Sequence, residues 1–161
     1  MQELSKGVIM KDSKQLAKAI QIASTIHLAQ VDRGNKPYIL HPLHIMSQLL
    51  YDMQLATIAV LHDVIEDSDG RVTLYTLKED GFSTRVLTAL KLLTHTEEQD
   101  YLSDYIAGIC TNIDAITVKR KDLEHNSDIT RLKGVTDKDL ARMKKYHIAF
   151  TALGLARKNF V

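Results

Sequence analysis

The sequence predicts an all-α fold, on three observations. Apolar residues recur at helical spacing along most of the chain, β-branched alternation bounded by turn residues is nearly absent, and only 2 of the 161 residues are proline. With 45% hydrophobic and 25% charged side chains, a chain of this length buries ~68–70% of its unfolded surface, enough for one core without cross-links. The single Cys110 can form no internal disulfide. It falls in the apolar pattern Tyr105, Ile106, Ile109, Cys110, Ile113, which reads as a small core residue, against the alternative of a reactive thiol.

The elements follow in order. Asp12 or Ser13 caps a first helix whose stripe Leu16, Ala19, Ile20, Ala23, Ile26, His27 reaches Gln30. Asp32-Arg33-Gly34-Asn35-Lys36-Pro37 then breaks it with turn chemistry. A second helix opens at His41-Pro42, with His41 as cap and proline at the first helical position, and runs to about Asp52. The third, Leu55 to about Glu66, is apolar on nearly every side until its end, as a central buried helix must be. After Ser68-Asp69-Gly70 come a short helix near Thr73–Glu79 closed by Gly81, then helices at Ser83–Leu93, about Glu98–Cys110 and Ile113–Glu124. Thr136-Asp137-Lys138-Asp139 is a capping box, with Asp in the usual Glu place, for a last helix from Asp137 to about Lys158. No repeat, low-complexity tract or linker interrupts this pattern, so one domain over 1–161 is expected.

Charge and hydropathy exclude several function classes. The 21 Lys and Arg against 20 Asp and Glu leave a net charge of +1, which argues against broad nucleic-acid binding. No apolar run approaches the roughly 18 residues of a membrane span, and MQELSKGVIMKDSKQ at the N-terminus lacks a signal-peptide core. A cytoplasmic protein without a membrane partner is expected. Oligomeric state is not legible.

The chemistry concentrates at the end of the third helix, His62-Asp63-Val64-Ile65-Glu66-Asp67. Burying four ionisable groups is costly unless they are paired or bind a cation. At spacings of three and four, His62, Asp63, Glu66 and Asp67 share one broad helix face and converge. Imidazole nitrogen with carboxylate oxygen suits Mn²⁺, Fe²⁺ or Zn²⁺, and Mn²⁺ tolerates the mixed shell best. The alternative is a solvated helix C-terminus, where Asp and Glu are badly placed against the helix dipole. Two ligands make a poor site. His41 and Asp122, the latter in the polar cluster Asp122-Leu123-Glu124-His125-Asn126, are the best candidates to complete it.

Three strings together carry a family resemblance: Arg33-Gly34-Asn35-Lys36-Pro37-Tyr38-Ile39-Leu40-His41-Pro42-Leu43, Leu61-His62-Asp63-Val64-Ile65-Glu66-Asp67, and Val118-Lys119-Arg120-Lys121-Asp122-Leu123-Glu124-His125-Asn126. In this order the chain, from about Ile20 to Leu155, resembles the HD-domain hydrolases of the RelA/SpoT family, in particular the single-domain small alarmone hydrolases. The resemblance implies the helical HD-domain fold and one metal, usually Mn²⁺, held by His41, His62, Asp63 and Asp122. It implies that Glu66 and Asp67 position and deprotonate the attacking water. A divalent cation lowers the pKa of a bound water, and a carboxylate one turn away can accept the proton. It implies further that Arg33 stacks on a purine base, that Tyr38 packs near the pocket, and that Asn126 contacts the sugar region. Lys36 is a candidate phosphate contact, against the reading of a solvated loop lysine.

Two departures stand out. The family commonly reads VKLAD before its last ligand, whereas Lys119-Arg120-Lys121 precedes Asp122 here, and these cations either face solvent or extend a phosphate-binding surface. The Arg33 loop is one residue shorter than in many bifunctional members. Among the other histidines, His27 reads as a hydrogen-bonded core residue, His95 as a surface residue or phosphate contact, and His125 as support for the site. His44 and His147 carry no signal beyond a helix surface. The expected activity is metal-dependent (p)ppGpp 3′-pyrophosphohydrolysis on a small-molecule nucleotide, with no synthetase half. The alternatives are hydrolysis of another nucleotide, such as the NADPH 2′-phosphate or an adenine alarmone, and a non-catalytic nucleotide-binding module.

Overall fold

A computed structural model describes the backbone of residues 2–160 and the side chains of residues 11–160. It is helical, with no β-strand among the described residues beyond one isolated antiparallel bridge between Val31 and Pro37. Helix α1 spans Gln2–Ile26, so the expected start at Asp12 or Ser13 falls inside it. No proline lies upstream to halt it. It also ends short of Gln30, because Gln30 and Asp32 turn instead to bond the next loop, Tyr38 N donating to Gln30 O and Asp32 N to Lys36 O.

Helix α2, Leu40–Ser47, begins one residue before His41, which therefore sits in its first turn rather than capping it. Pro42 remains in that turn, where a missing N–H leaves no helical bond unmade. The helix stops at Ser47, and residues 48–51 turn into Asp52. Asp52 caps α3, Met53–Leu61, its Oδ1 accepting from Gln54 N at 2.9 Å and Leu55 N at 3.2 Å. As its all-round apolar pattern demands, every residue of α3 from Leu55 to Leu61 is buried. The helix breaks at His62-Asp63, and a separate turn, α4, Val64–Asp67, follows.

Helices α5, Leu74–Glu79, and α6, Thr84–Leu93, are capped by Thr73 and Ser83. The expected helix from Glu98 is shorter and irregular. Asp100 caps a π-helical turn over Tyr101–Ile106, which runs into the brief α7, Ala107–Ile109. Helix α8, Ile113–Asn126, is capped by Asn112, a 3₁₀ turn covers Ile129–Arg131, and α9, Asp137–Arg157, opens on the Thr136/Asp139 capping box.

Helix α3 is the hub, packed against α1, α2, α6 and α8, and α9 lies along α8. Its residues Ile58 and Leu61 join Ile45, Leu90, Ile116 and Leu123 in the core, against which Cys110 packs half-buried. Arg120 fastens α8 to α9, donating from Nη1 to Phe150 O at 2.9 Å with its guanidinium 3.8 Å over the Phe150 ring. Among the described residues no helix is long and apolar enough to cross a membrane. The packing brings the first turn of α2, the end of α3 and the C-terminal half of α8 to one place.

Candidate metal centre

His41, His62 and Asp122 meet there, each buried, each offering one ligand atom, and all three atoms lie within 4.8 Å of one another. Asp122 Oδ1 is 3.1 Å from His41 Nε2 and 3.7 Å from His62 Nε2. Neither Nε2 has a hydrogen-bond partner although both are buried. Native interiors rarely leave a buried polar atom unsatisfied. Two such nitrogens aimed at one carboxylate oxygen form a donor set that fits a divalent cation, and these three residues could hold one.

The tautomers agree. His62 Nδ1 lies 2.8 Å from Ala59 O, an atom that only accepts, so Nδ1 carries the hydrogen and Nε2 is turned to the centre. His41 Nδ1 lies 2.7 Å from His125 Nδ1, again leaving Nε2 for the centre. The field of the site favours positive charge. Burial opposes protonation of His62, yet the Asp63 and Asp122 carboxylates raise its pKa well above the ordinary imidazole value. Burial likewise works against an ionised Asp122, but Lys119 and the two imidazoles hold its carboxyl well below the usual range.

Asp63 adjoins the trio. Its Oδ2 is 3.0 Å from His62 Nε2 and 3.9 Å from His41 Nε2, and accepts from the Tyr38 hydroxyl. Glu66 and Asp67 follow on the separate turn α4, where Asp67 N donates to Asp63 O at 2.9 Å. Glu66 Oε1 accepts from His95 N at 2.5 Å, and burial lifts its pKa above the ordinary carboxylate value despite that bond. Asp67 Oδ2 accepts from Gln30 Nε2 at 3.0 Å, while Gln30 Oε1 lies 2.7 Å from His27 Nδ1. His27 is thus a bonded core histidine, as expected, and the two adjacent carboxylates of α4 are bonded to different loops, Glu66 to that of His95 and Asp67 to that of Gln30.

A cleft beside the centre is lined by Arg33, Tyr38, Asn126, Arg131, Arg142 and Tyr146. Arg33 is 67% exposed, its Nη1 3.6 Å from Asp139 Oδ1, so its guanidinium is available to a ligand. Asn126 donates to Asp122 Oδ1 at 2.5 Å and so joins cleft to centre. Lys36 lines a second cleft with His41, His44, Gln48 and His125. His95 packs edge-on against Tyr101 and Tyr105.

The three cations before Asp122 have separate fates. Lys119 neither faces solvent nor extends an exposed surface: its side chain is 12% exposed, with Nζ 2.8 Å from Asp122 Oδ2 and 5.2 Å over the Tyr105 ring. Arg120 serves the α8–α9 contact, and Lys121 pairs with Glu124 on the surface at 2.6 Å. Asp122 is therefore divided, Oδ1 toward the imidazoles and Oδ2 held by Lys119. Sequence reasoning missed the burial of Lys119 and the whole of Arg131, for which no local signal exists.

No family model matches the chain. Among curated proteins it is 42% identical over 62 residues, 36% of the chain, to the guanosine-3′,5′-bis(diphosphate) 3′-pyrophosphohydrolase of Borreliella burgdorferi. It is 34% identical over 119 residues, 65% of the chain, to the protein of that name from Haemophilus influenzae. It is 29% identical over 126 residues, 70% of the chain, to the bifunctional (p)ppGpp synthase/hydrolase SpoT of Escherichia coli K12. The matched segments amount to 9%, 17% and 18% of those relatives, so the chain spans less than a fifth of their length. Over these segments the chain is similar to proteins named as (p)ppGpp 3′-pyrophosphohydrolases and SpoT, in line with the resemblance its three motifs carry.

Proposed function

We propose that the chain is a metal-dependent hydrolase that removes the 3′-diphosphate of guanosine tetra- or pentaphosphate, giving pyrophosphate and GDP or GTP, in the cytoplasm and with Mn²⁺ as the cation. The observation that carries this reading is the pair of buried, unpartnered Nε2 atoms of His41 and His62 facing Asp122 Oδ1. The names of the relatives supply the substrate class.

His41, His62 and Asp122 would hold the ion, with Asp63 adjoining. A divalent cation supplies Lewis-acid polarisation of a phosphoryl oxygen and acidifies water at neutral pH. Glu66 takes the proton of the attacking water. Its carboxyl, raised by desolvation above the ordinary carboxylate value, suits a general base, and His95 N–H fixes its direction. Asp67, held by Gln30, positions the water from the other side. The bond from O3′ to phosphorus breaks, the water oxygen stays on pyrophosphate, and O3′ leaves with a proton. Arg33 offers a planar face to the purine at the cleft mouth, and Tyr38 and Asn126 line the path from base to centre.

The test is incubation of the purified protein and Mn²⁺ with the 3′-pyrophosphorylated guanine nucleotide, its adenine counterpart and NADPH, with product identification. Pyrophosphate and GDP are expected from the first. Phosphate from NADPH alone would move the reading to that substrate. Metal-loaded protein that binds nucleotide and turns over none of the three would make the chain a binding module.

A further inference from the structure

Arg131 sits on the 3₁₀ turn after α8 and makes three bonds. Its Nη1 donates to His125 O at 2.9 Å and approaches His125 Nδ1 at 3.1 Å, and its Nη2 donates to Asp32 Oδ2 at 3.0 Å. A guanidinium only donates, and it is charged at every physiological pH. His125 Nδ1 must therefore accept, which places the His125 proton on Nε2. The same Nδ1 is 2.7 Å from His41 Nδ1, with the two rings within 6° of parallel. Since His125 Nδ1 has no hydrogen to give, His41 Nδ1 is the donor, and the free lone pair of His41 is left on Nε2, the atom that faces Asp122 and His62.

The other end of Arg131 holds a loop. Asp32 Oδ1 accepts from Gly34 N at 2.8 Å and Lys36 N at 2.9 Å, closing the turn that carries Arg33, while Oδ2 takes Arg131. A Cβ on Gly34 would lie 2.7 Å from Arg131 O, so turn and loop are in backbone contact as well.

We infer that Arg131 is a positioning residue that sets the direction of the His125–His41 relay, so that His41 presents a bare Nε2 to a metal ion, and that ties this relay through Asp32 to the loop bearing Arg33. The inference rests on the metal-centre reading but not on which nucleotide is hydrolysed. Partners that orient a ligating imidazole change metal affinity by about 10–100-fold when removed. Glutamine at 131 can donate or accept and so loses the enforced direction. Lysine keeps the charge and the donor but lacks the fork that spans His125 and Asp32.

The experiment compares wild type, Arg131→Gln and Arg131→Lys by Mn²⁺ and Zn²⁺ affinity, using chelator competition, and by ¹⁵N NMR of the imidazoles in metal-free protein. The wild type should show His41 as the Nδ1–H tautomer. Arg131→Gln should mix the tautomers and weaken the metal by about 10–100-fold, and Arg131→Lys should recover most of that affinity. Both variants should weaken nucleotide binding through the loosened Arg33 loop. Unchanged tautomer and metal affinity in a folded Arg131→Gln would overturn the inference while leaving the metal centre standing. Should wild type bind no metal, the centre reading fails, and the tautomer comparison still decides the role of Arg131.

Discussion

The rings of His41 and His62 meet edge-to-face with centroids 5.3 Å apart, each with a buried Nε2 that no protein group satisfies. One comes from the start of α2 and the other from the end of α3, so the pair exists only through tertiary packing. The carbonyl end of α3 adds partial negative charge beside His62, which with Asp63 and Asp122 makes this a place for a cation.

Glu66→Gln should lower kcat by roughly 10²–10⁴-fold, the usual worth of a positioned general base, while metal affinity is retained. Glutamine keeps an oxygen for His95 N–H, so the fold around it should persist. Steady-state kinetics with a parallel metal titration checks this. An unchanged kcat would assign the proton transfer to Asp67.

Lys119→Met should destabilise the metal-free protein by up to about 3–5 kcal/mol, because Asp122 then loses the cation paired with its buried Oδ2. A bound divalent cation restores positive charge at Asp122, so the loss should shrink in the metal-loaded protein. Thermal melts with and without Mn²⁺ read the difference. Equal losses in both states would show that Lys119 acts through packing on Tyr105 alone.

Asp52 provides a pH signature away from the centre. Burial raises its carboxyl pKa, but the Arg85 Nη2 bond at 2.8 Å and the N–H groups of Leu55 and Gln54 outweigh that and leave it lowered. A lowered folded pKa gives stability that is full above the unfolded value, about 3.9, and is lost as pH falls through the folded value. Asp52→Asn keeps an oxygen to cap α3, so it isolates the charge. The wild type should exceed it by ~0.2–1 kcal/mol near neutrality, and the gap in Tm should close as pH drops below about 4. A gap constant across that range would assign the effect to the cap.

Gly34→Ala should cost about 1–3 kcal/mol, as overpacking does, because its Cβ would press on Arg131 O, a backbone atom with little freedom to yield. Urea denaturation measures the loss. A neutral result would mean that the loop and the 3₁₀ turn can separate without penalty.

Much of this architecture is legible in the sequence. The nearly all-apolar run Leu55 to Leu61 marks α3 as the buried hub, and the Thr136/Asp139 box marks the start of α9, since both signals are local. The break after Leu61 is not legible: no glycine or proline stands there, and Val64 to Asp67 continue the helical pattern in sequence, although they form a separate turn. Lys119 reads as one of a run of cations that face solvent or extend a phosphate-binding surface, and only the fold shows it enclosed, with Nζ 2.8 Å from Asp122 Oδ2 and 5.2 Å over the Tyr105 ring. Arg131 meets Asp32 across 99 positions of sequence, a contact that no periodicity or motif reports.

Titration calorimetry with Mn²⁺ and Zn²⁺ tests the central claim most directly, on wild type beside His41→Ala, His62→Ala and Asp122→Asn. One ion per chain is expected for wild type, with each substitution weakening it by more than the roughly 10–100-fold of a supporting residue. Stoichiometric binding that survives in all three variants, folded by circular dichroism, would contradict the account.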